Sequence, residues 1–101
     1  MAKVLRKGTF HLHNDKNGGH PALIYSANHK KNEYKAVKFT HKDGAARTKL
    51  KHNIDPEGRG NTYVHNIPVI DSKNKFGSKE LDRYRVHKDD KALISKIKRK
   101  K

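Results

Sequence analysis

Short runs of alternating hydrophobic and polar residues dominate the first two thirds of the chain. From Thr9 to His13, Phe10 and Leu12 point to one side of an extended backbone, while Thr9, His11 and His13 point to the other. A period of two residues is typical of a strand with one buried face. The run therefore predicts a half-buried β-strand.

A second strand is predicted from Ala22 to Tyr25, where all four residues are apolar or aromatic. Such a continuous run is typical of a strand buried on both faces, and Pro21 is tolerated at its first position. Asn14 to Gly19 has the composition of a loop. Ala27 to Asn32 is polar and contains two Asn residues, which favours a hairpin connection.

A third strand is predicted from Tyr34 to Thr40, where the alternation returns. Val37 and Phe39 are expected to face inward, and Lys38 and Thr40 outward. Lys42–Arg47 is predicted as a loop, and Lys49–Asn53 as a short strand. Asp55–Gly60 is predicted as a turn, and Thr62–Ile70 as a β-rich run.

The last third of the chain favours helices. Ser78 to Arg85 predicts a short helix because Ser78 is a good N-cap and Glu80 lies in the first turn. Lys88 to Lys100 predicts a second helix with an apolar stripe formed by Leu93, Ile94 and Ile97. Basic residues at its C-terminal end complement the helix dipole, or form an RNA-binding tail.

These elements predict one domain over residues 1–101, with a β-barrel in 1–76 and a helical, Lys-rich segment in 77–101. The expected fold is mainly β with a C-terminal helix, an α+β arrangement built on a small, partly open barrel. SH3-like and OB-type barrels both fit the periodicity. Leu, Ile, Val and Phe make up about a fifth of the chain, so the core is expected to be small.

Charge indicates the class of partner. Lys and Arg total 25 against 10 Asp and Glu, which gives a net charge of +15. Phosphate backbones are the usual partner of so basic a domain. Membrane binding is not expected, since no inserting face or lipidation signal is present. The chain has no Cys, which excludes thiol nucleophiles and zinc–thiolate sites. A cytoplasmic protein is expected because no apolar run resembles a signal or membrane-spanning segment.

Two segments resemble a known family. They read Gly18-Gly19-His20-Pro21-Ala22-Leu23-Ile24 and Ala36-Val37-Lys38-Phe39-Thr40-His41. Their pattern is similar to the N-terminal half of the MazF/PemK/Kid toxins, and to the ToxN/AbiQ toxins that share their barrel. The resemblance implies an SH3-like barrel that cuts single-stranded RNA without a metal, as the toxin of a toxin–antitoxin pair. It makes His20, Thr40 and His41 the catalytic candidates, although the family usually has Arg and Ser in place of the two His residues.

The chemistry of RNA cleavage supports the same residue types. Attack by the 2′-OH needs a base, an acid for the leaving oxygen and a cation beside the phosphate. His suits the first two tasks near neutral pH, and Lys or Arg suits the third. Positions expected to contact RNA through phosphate binding or base stacking are Lys35, Lys38, Arg47, Arg59 and Tyr63.

No cofactor and no metal site are predicted. His11, His13 and His20 could offer three nitrogen ligands, but no carboxylate nearby completes or orients the set. Tyr25 and Tyr34 could stack on bases, and ordinary packing is the preferred interpretation for Tyr25.

Three classes of function stay open on charge alone. The leading one is the endoribonuclease, and the second is a non-catalytic module that binds RNA or DNA. The third is a basic adaptor for an acidic protein. For the enzyme, the expected partners are substrate RNA and an anionic antitoxin, either an acidic protein or an RNA. An oligomer is possible.

Overall fold

The computed structural model describes residues 5–15, 18–42, 44–55, 60–77 and 80–99. Over these residues the chain forms an antiparallel sheet of six strands followed by an α-helix. The strands are β1 Phe10–Asp15, β2 Gly18–Asn28, β3 Glu33–Thr40, β4 Arg47–Lys49, β5 Tyr63–His65 and β6 Val69–Asp71. Helix α1 spans Lys91–Lys98, and short 3₁₀ turns span Lys73–Lys75 and Lys88–Asp90.

The sheet is built around β3. Its strand order is β1-β2-β3-β5-β4, and β6 also pairs with β3. β5 pairs with the end of β3 through Phe39 and Val64, while β6 pairs further back through Ala36 and Val69. The two short strands together follow one edge of β3, with a break at residues 66–68. Pro68 lies in this break, where its missing N–H removes a ladder hydrogen bond.

The sheet curls strongly. His13 of β1 forms an isolated bridge with Phe76, and the Gly77 amide donates a hydrogen bond to the Leu12 carbonyl at 2.7 Å. His13 Nε2 also donates to the Asp71 carboxylate on β6 at 2.6 Å. The first and last strands therefore approach each other, although the strand order remains open. The predicted class, mainly β with a C-terminal helix, is confirmed.

The main core lies between α1 and one face of the sheet. Val37 and Phe39 are buried there, as the alternation of β3 predicts. Phe39 packs against Phe10 with ring centroids 5.6 Å apart. From α1, Ile94 and Ile97 are buried in the same cluster, which confirms the predicted apolar stripe. Burial of each such side chain stabilises the fold by about 1.5–3 kcal/mol.

The opposite face of the sheet is buried as well. Its small second core contains Leu5, Ala22, Ile24, Tyr34, Ala36 and Phe76. The prediction that Lys38 and Thr40 face outward into solvent is therefore wrong, since only 6% and 5% of their surfaces are exposed. They do lie opposite Val37 and Phe39. The curl of the sheet brings Phe76 onto the part of this face that holds His13 and Tyr34, and its ring contacts both of them.

The segment predicted as a loop before β2 is a hairpin. β1 and β2 pair as far as Asn14 with Gly19 and Asp15 with Gly18, so most of the predicted loop lies in the two strands, and residues 16 and 17 are outside the described residues. Pro21 lies within β2 rather than at its start, opposite Leu12. The recorded pairing of β2 with β3 begins one residue later, at Ala22. Pro21 has no N–H to donate, which explains why the ladder to β3 opens there.

Two local predictions after β3 are wrong in detail. The strand predicted over Lys49–Asn53 is instead Arg47–Lys49, and the Leu50 amide then bonds to the Thr62 carbonyl at 2.8 Å. Residues 80–87 form no helix, while Ser78 and Lys79 lie outside the described residues. The Leu81 amide instead donates to the Phe10 carbonyl at 2.8 Å. The predicted helix over Lys88–Lys100 is confirmed as a 3₁₀ turn followed by α1.

Candidate nucleic-acid site on the polar face of the sheet

The strand register gathers polar side chains on the face opposite the main core. Directly opposed residues of antiparallel strands project from the same face. Thr40 at the end of β3 pairs with Tyr63 of β5, and Tyr63 pairs with Lys49 of β4. Thr40, Tyr63 and Lys49 therefore form one row across three strands.

A second row runs beside the first. Ala22 of β2 pairs with Lys38 of β3, and His65 of β5 pairs with Arg47 of β4. The β3–β5 register, continued by one residue from Phe39 and Val64, brings His65 level with Lys38. On β3, Lys38 therefore has Ala22 of β2 on one side and is level with His65 of β5 on the other.

His20 completes the arrangement from β2. It lies two residues before Ala22 on the same face, and the β2–β3 register continued past Pro21 brings it level with Thr40. The imidazole rings of His20 and His65 have centroids 6.3 Å apart, with an interplanar angle of 66°. Both residues are half-buried, and His20 Nδ1 and His65 Nε2 are shielded from solvent. We refer to His20, Lys38, Thr40, Tyr63 and His65 as the polar face.

Thr40 carries a hydroxyl that is held by the backbone. Its Oγ1 accepts a hydrogen bond from the Lys42 amide at 3.3 Å, which fixes the oxygen beside the turn that leaves β3. A hydroxyl also carries one hydrogen to donate. Thr40 can therefore keep its bond to the turn and still donate to a bound anion.

The remaining predicted site residues are distributed differently. His41 is exposed, one residue beyond β3, and its Nδ1 donates to the Asn61 carbonyl at 3.3 Å. Lys35 is half-buried on the main-core side of β3, because it alternates with Tyr34 and Ala36. Arg47 joins the second row, and its guanidinium donates to the Lys42 carbonyl at 3.0 Å. Arg59 lies outside the described residues.

His65 was not singled out from the sequence. The signal was present in Tyr63-Val64-His65, where the alternation places the two ring-bearing residues on one face. Nothing local distinguishes His65 from the other seven His residues, however. Its proximity to His20 arises only when β2, β3 and β5 are assembled.

His11 and His13 have structural roles. Both are buried, with 2% and 3% of their surfaces exposed. His11 Nδ1 donates to the Gly77 carbonyl at 3.0 Å, and His13 donates to Asp71 while its ring packs edge-on against Phe76. These contacts hold β1 against the last part of the sheet, so both residues help to close the curl.

The weaker aromatic candidates are packing residues. Tyr25 packs against the main core, as preferred from the sequence, and burial raises the pKa of its phenol above 10. Tyr34 is buried in the second core, and its hydroxyl forms a hydrogen bond with His29 Nδ1 at 3.1 Å. The ring of Tyr34 is therefore not presented for base stacking.

The described residues define a class of protein: a small, mainly antiparallel β fold with a C-terminal helix and a polar face that carries two adjacent imidazoles. Comparisons with protein-family models, with curated proteins and with solved structures found no match. Among the described residues, no helix is long and apolar enough to cross a membrane. Any function has to be inferred from the chemistry of this chain's own residues.

Proposed function

We propose that this protein is a metal-independent endoribonuclease that cleaves single-stranded RNA, and that it acts as the toxin of a toxin–antitoxin pair. The observation that carries the proposal is the pairing of His20 and His65, whose ring centroids lie 6.3 Å apart on a face that also holds Lys38. Two imidazoles and a cation are the groups that 2′-OH attack requires.

The proposed reaction is an internal transfer at phosphorus. The 2′-oxygen attacks the adjacent phosphorus and forms a 2′,3′-cyclic phosphate, while the bond from phosphorus to the 5′-oxygen breaks. One histidine of the pair takes the 2′-OH proton, and the other, protonated, gives a proton to the leaving 5′-oxygen. Lys38 stabilises the negative charge that grows on the phosphoryl oxygens, and Thr40 donates a hydrogen bond to one of them.

Basic residues around the polar face supply the electrostatic part of binding. Exposed Lys49 stands in the same row as Thr40 and Tyr63, and exposed Lys42 follows β3. Half-buried Tyr63 offers an aromatic ring on which an unpaired base stacks. With a net charge of +15, a partner that covers this face has to be anionic. We infer that the antitoxin is an acidic protein or an RNA, and the size of the charge favours an RNA.

The curl of the sheet supports a finer assignment of the fold. The bridge from His13 to Phe76 joins β1 to the segment that follows β6, as expected for a small, partly open barrel. We infer an SH3-like barrel on this basis and from the resemblance of residues 18–24 and 36–41 to the toxin families.

Incubation of the purified protein with a mixed RNA pool and EDTA tests the proposal. We expect discrete fragments that end in a 2′,3′-cyclic phosphate, because the chemistry needs no metal. The His65→Ala variant, purified in parallel, controls for contaminating nucleases. Intact RNA under all conditions, with tight binding retained, would instead identify a non-catalytic RNA-binding module.

Replacement of the Thr40 hydroxyl should have a small effect. We expect Thr40→Val, which keeps the shape of the side chain, to slow cleavage by about tenfold or less, since one neutral hydrogen bond contributes about 0.5–1.5 kcal/mol. Thr40→Ser is the matched control and should cleave at close to the wild-type rate. Single-turnover cleavage of one defined RNA measures both. A Thr40→Val enzyme that cleaves at the wild-type rate would remove Thr40 from the reaction.

A further inference from the structure

A second group of histidines meets on the other side of the sheet. His52 follows β4, whereas His87 and Asp89 precede α1, and all three side chains are exposed. One nitrogen or oxygen atom from each lies within 4.8 Å of the others. Leu50 and Ile54, which flank His52, belong to the main core with α1. The group is therefore separated from the polar face by the sheet.

The distances within this cluster suit a shared metal ion. His52 Nε2 lies 3.1 Å from Asp89 Oδ2, and His87 Nδ1 lies 3.5 Å from the same oxygen. Zinc binds imidazole and carboxylate at about 2.0–2.1 Å, so two ligands at a tetrahedral angle are about 3.4 Å apart. The two observed separations bracket that value.

Neighbouring contacts hold the cluster in place. The carboxylate of Asp90, which is buried, accepts hydrogen bonds from the amides of Lys51 and His52 at 2.9 and 3.0 Å. The Asp90 amide in turn donates to the His87 carbonyl at 2.9 Å. The segment that carries His52 is thus fastened to the segment that carries His87, before any ion binds.

The two imidazole rings are in contact, and they have to rotate out of this contact for their in-plane lone pairs to meet at one ion. The rings of His52 and His87 stack with centroids 3.7 Å apart and an interplanar angle of 24°. His87 Nδ1 is unprotonated, because it accepts a hydrogen bond from the Asp89 amide at 3.1 Å, and an ion that binds this nitrogen has to displace that bond. Capping of the following helix needs only His87 and accounts for neither the second imidazole nor its stacking.

We propose that His52, His87 and Asp89 form a binding site for a divalent transition-metal ion, with zinc as the expected ion. Two nitrogen ligands and one carboxylate suit zinc, whereas magnesium and calcium prefer oxygen ligands alone. Water occupies the fourth position. The ion links the segment after β4 to the start of α1, so it stabilises the fold and has no part in RNA cleavage. No metal was expected here from the sequence, because His52 lies far from His87 and Asp89 in the chain.

Zinc titration of the tag-free, EDTA-treated and dialysed protein tests this site. We expect calorimetry to show one zinc per chain and the melting temperature to rise with zinc. His52→Ala, His87→Ala and Asp89→Asn should each weaken zinc binding by about a hundredfold, since even a group that only orients a ligand contributes about 10- to 100-fold. The matched control is His29→Ala, which removes an exposed His elsewhere and should bind zinc like the wild type.

Three outcomes would overturn the site. They are wild-type zinc affinity in the cluster variants, an equal loss in His29→Ala, and no binding of zinc by the wild type. Circular dichroism of each variant confirms folding, and Asp89→Asn keeps the size of the side chain, so a loss of affinity in that variant is attributable to the lost ligand charge. Magnesium chloride in place of zinc should produce neither heat nor a shift in melting temperature.

Discussion

Replacement of either His20 or His65 by Ala should lower the rate of RNA cleavage by about a hundredfold or more, the usual contribution of one general acid or base. RNA affinity should change little, because a neutral imidazole contributes no net charge. Since the two rings adjoin, with centroids 6.3 Å apart, we expect them to act as one unit. The double variant should therefore be scarcely slower than either single variant.

His41→Ala is the control that distinguishes two versions of the site. His41 was a catalytic candidate on the basis of sequence, but the structure places it beyond β3, against the Asn61 carbonyl. We expect its replacement to leave cleavage near the wild-type rate. Single-turnover cleavage and RNA affinity should be measured on the same preparations. Full activity in both His20→Ala and His65→Ala would overturn the pair, and a parallel loss of binding would mark these residues as RNA contacts.

Strands and helices were predictable where the spacing of apolar residues along a short segment was enough to define them. Val37 and Phe39 alternate with polar neighbours, and a period of two residues places them together on the core face whatever the partner strand is. The stripe of Ile94 and Ile97 predicted α1 for a comparable reason, since its spacing matches the helical repeat. Both elements are confirmed.

The burial of the second face was not predictable from local pattern. Lys38, Thr40, His11 and His13 are polar residues on alternating strands, and solvent exposure is the usual outcome for them. His11 and His13 are covered because residues more than 60 positions away, around Phe76 and Gly77, return to β1. Likewise, residues 80–85 do not form the predicted helix, because the amides of Leu81 and Arg85 donate hydrogen bonds to the distant carbonyls of Phe10 and Ile54.

The candidate site was predictable in part. His20 and Thr40 were chosen from separate segments, and the β2–β3 register places them level only when it is continued past its first pair, Ala22 with Lys38. Lys38, Tyr63 and Arg47 belong to the same two rows, whereas Lys35 lies on the other side of the sheet. His65 and the His52 cluster depend on which strands and turns become neighbours. Whether these residues act on RNA stays a prediction.

RNA affinity should fall by about a thousandfold or more between about 50 and 200 mM salt. Each phosphate neutralised on a single strand releases counterions with a slope of about −0.7 in the logarithm of affinity against the logarithm of salt. About seven contacts would then produce the expected loss over a fourfold rise in salt. A net charge of +15 provides enough cations for that number.

The measurement is fluorescence anisotropy of a labelled single-stranded RNA over a salt series, with His20→Ala protein so that the RNA stays intact. Lys49→Ala should reduce the salt slope by about 0.7, the contribution of one phosphate contact on a single strand, because Lys49 lies in the row with Thr40 and Tyr63. Lys88→Ala is the matched control. Lys88 is also exposed but lies just before α1, on the main-core side of the sheet, and its loss should leave the slope unchanged. A flat salt response in the parent protein would remove the main support for nucleic-acid binding, whatever the net charge. Equal effects of the two Lys variants would mean that RNA binds through diffuse charge rather than along the polar face.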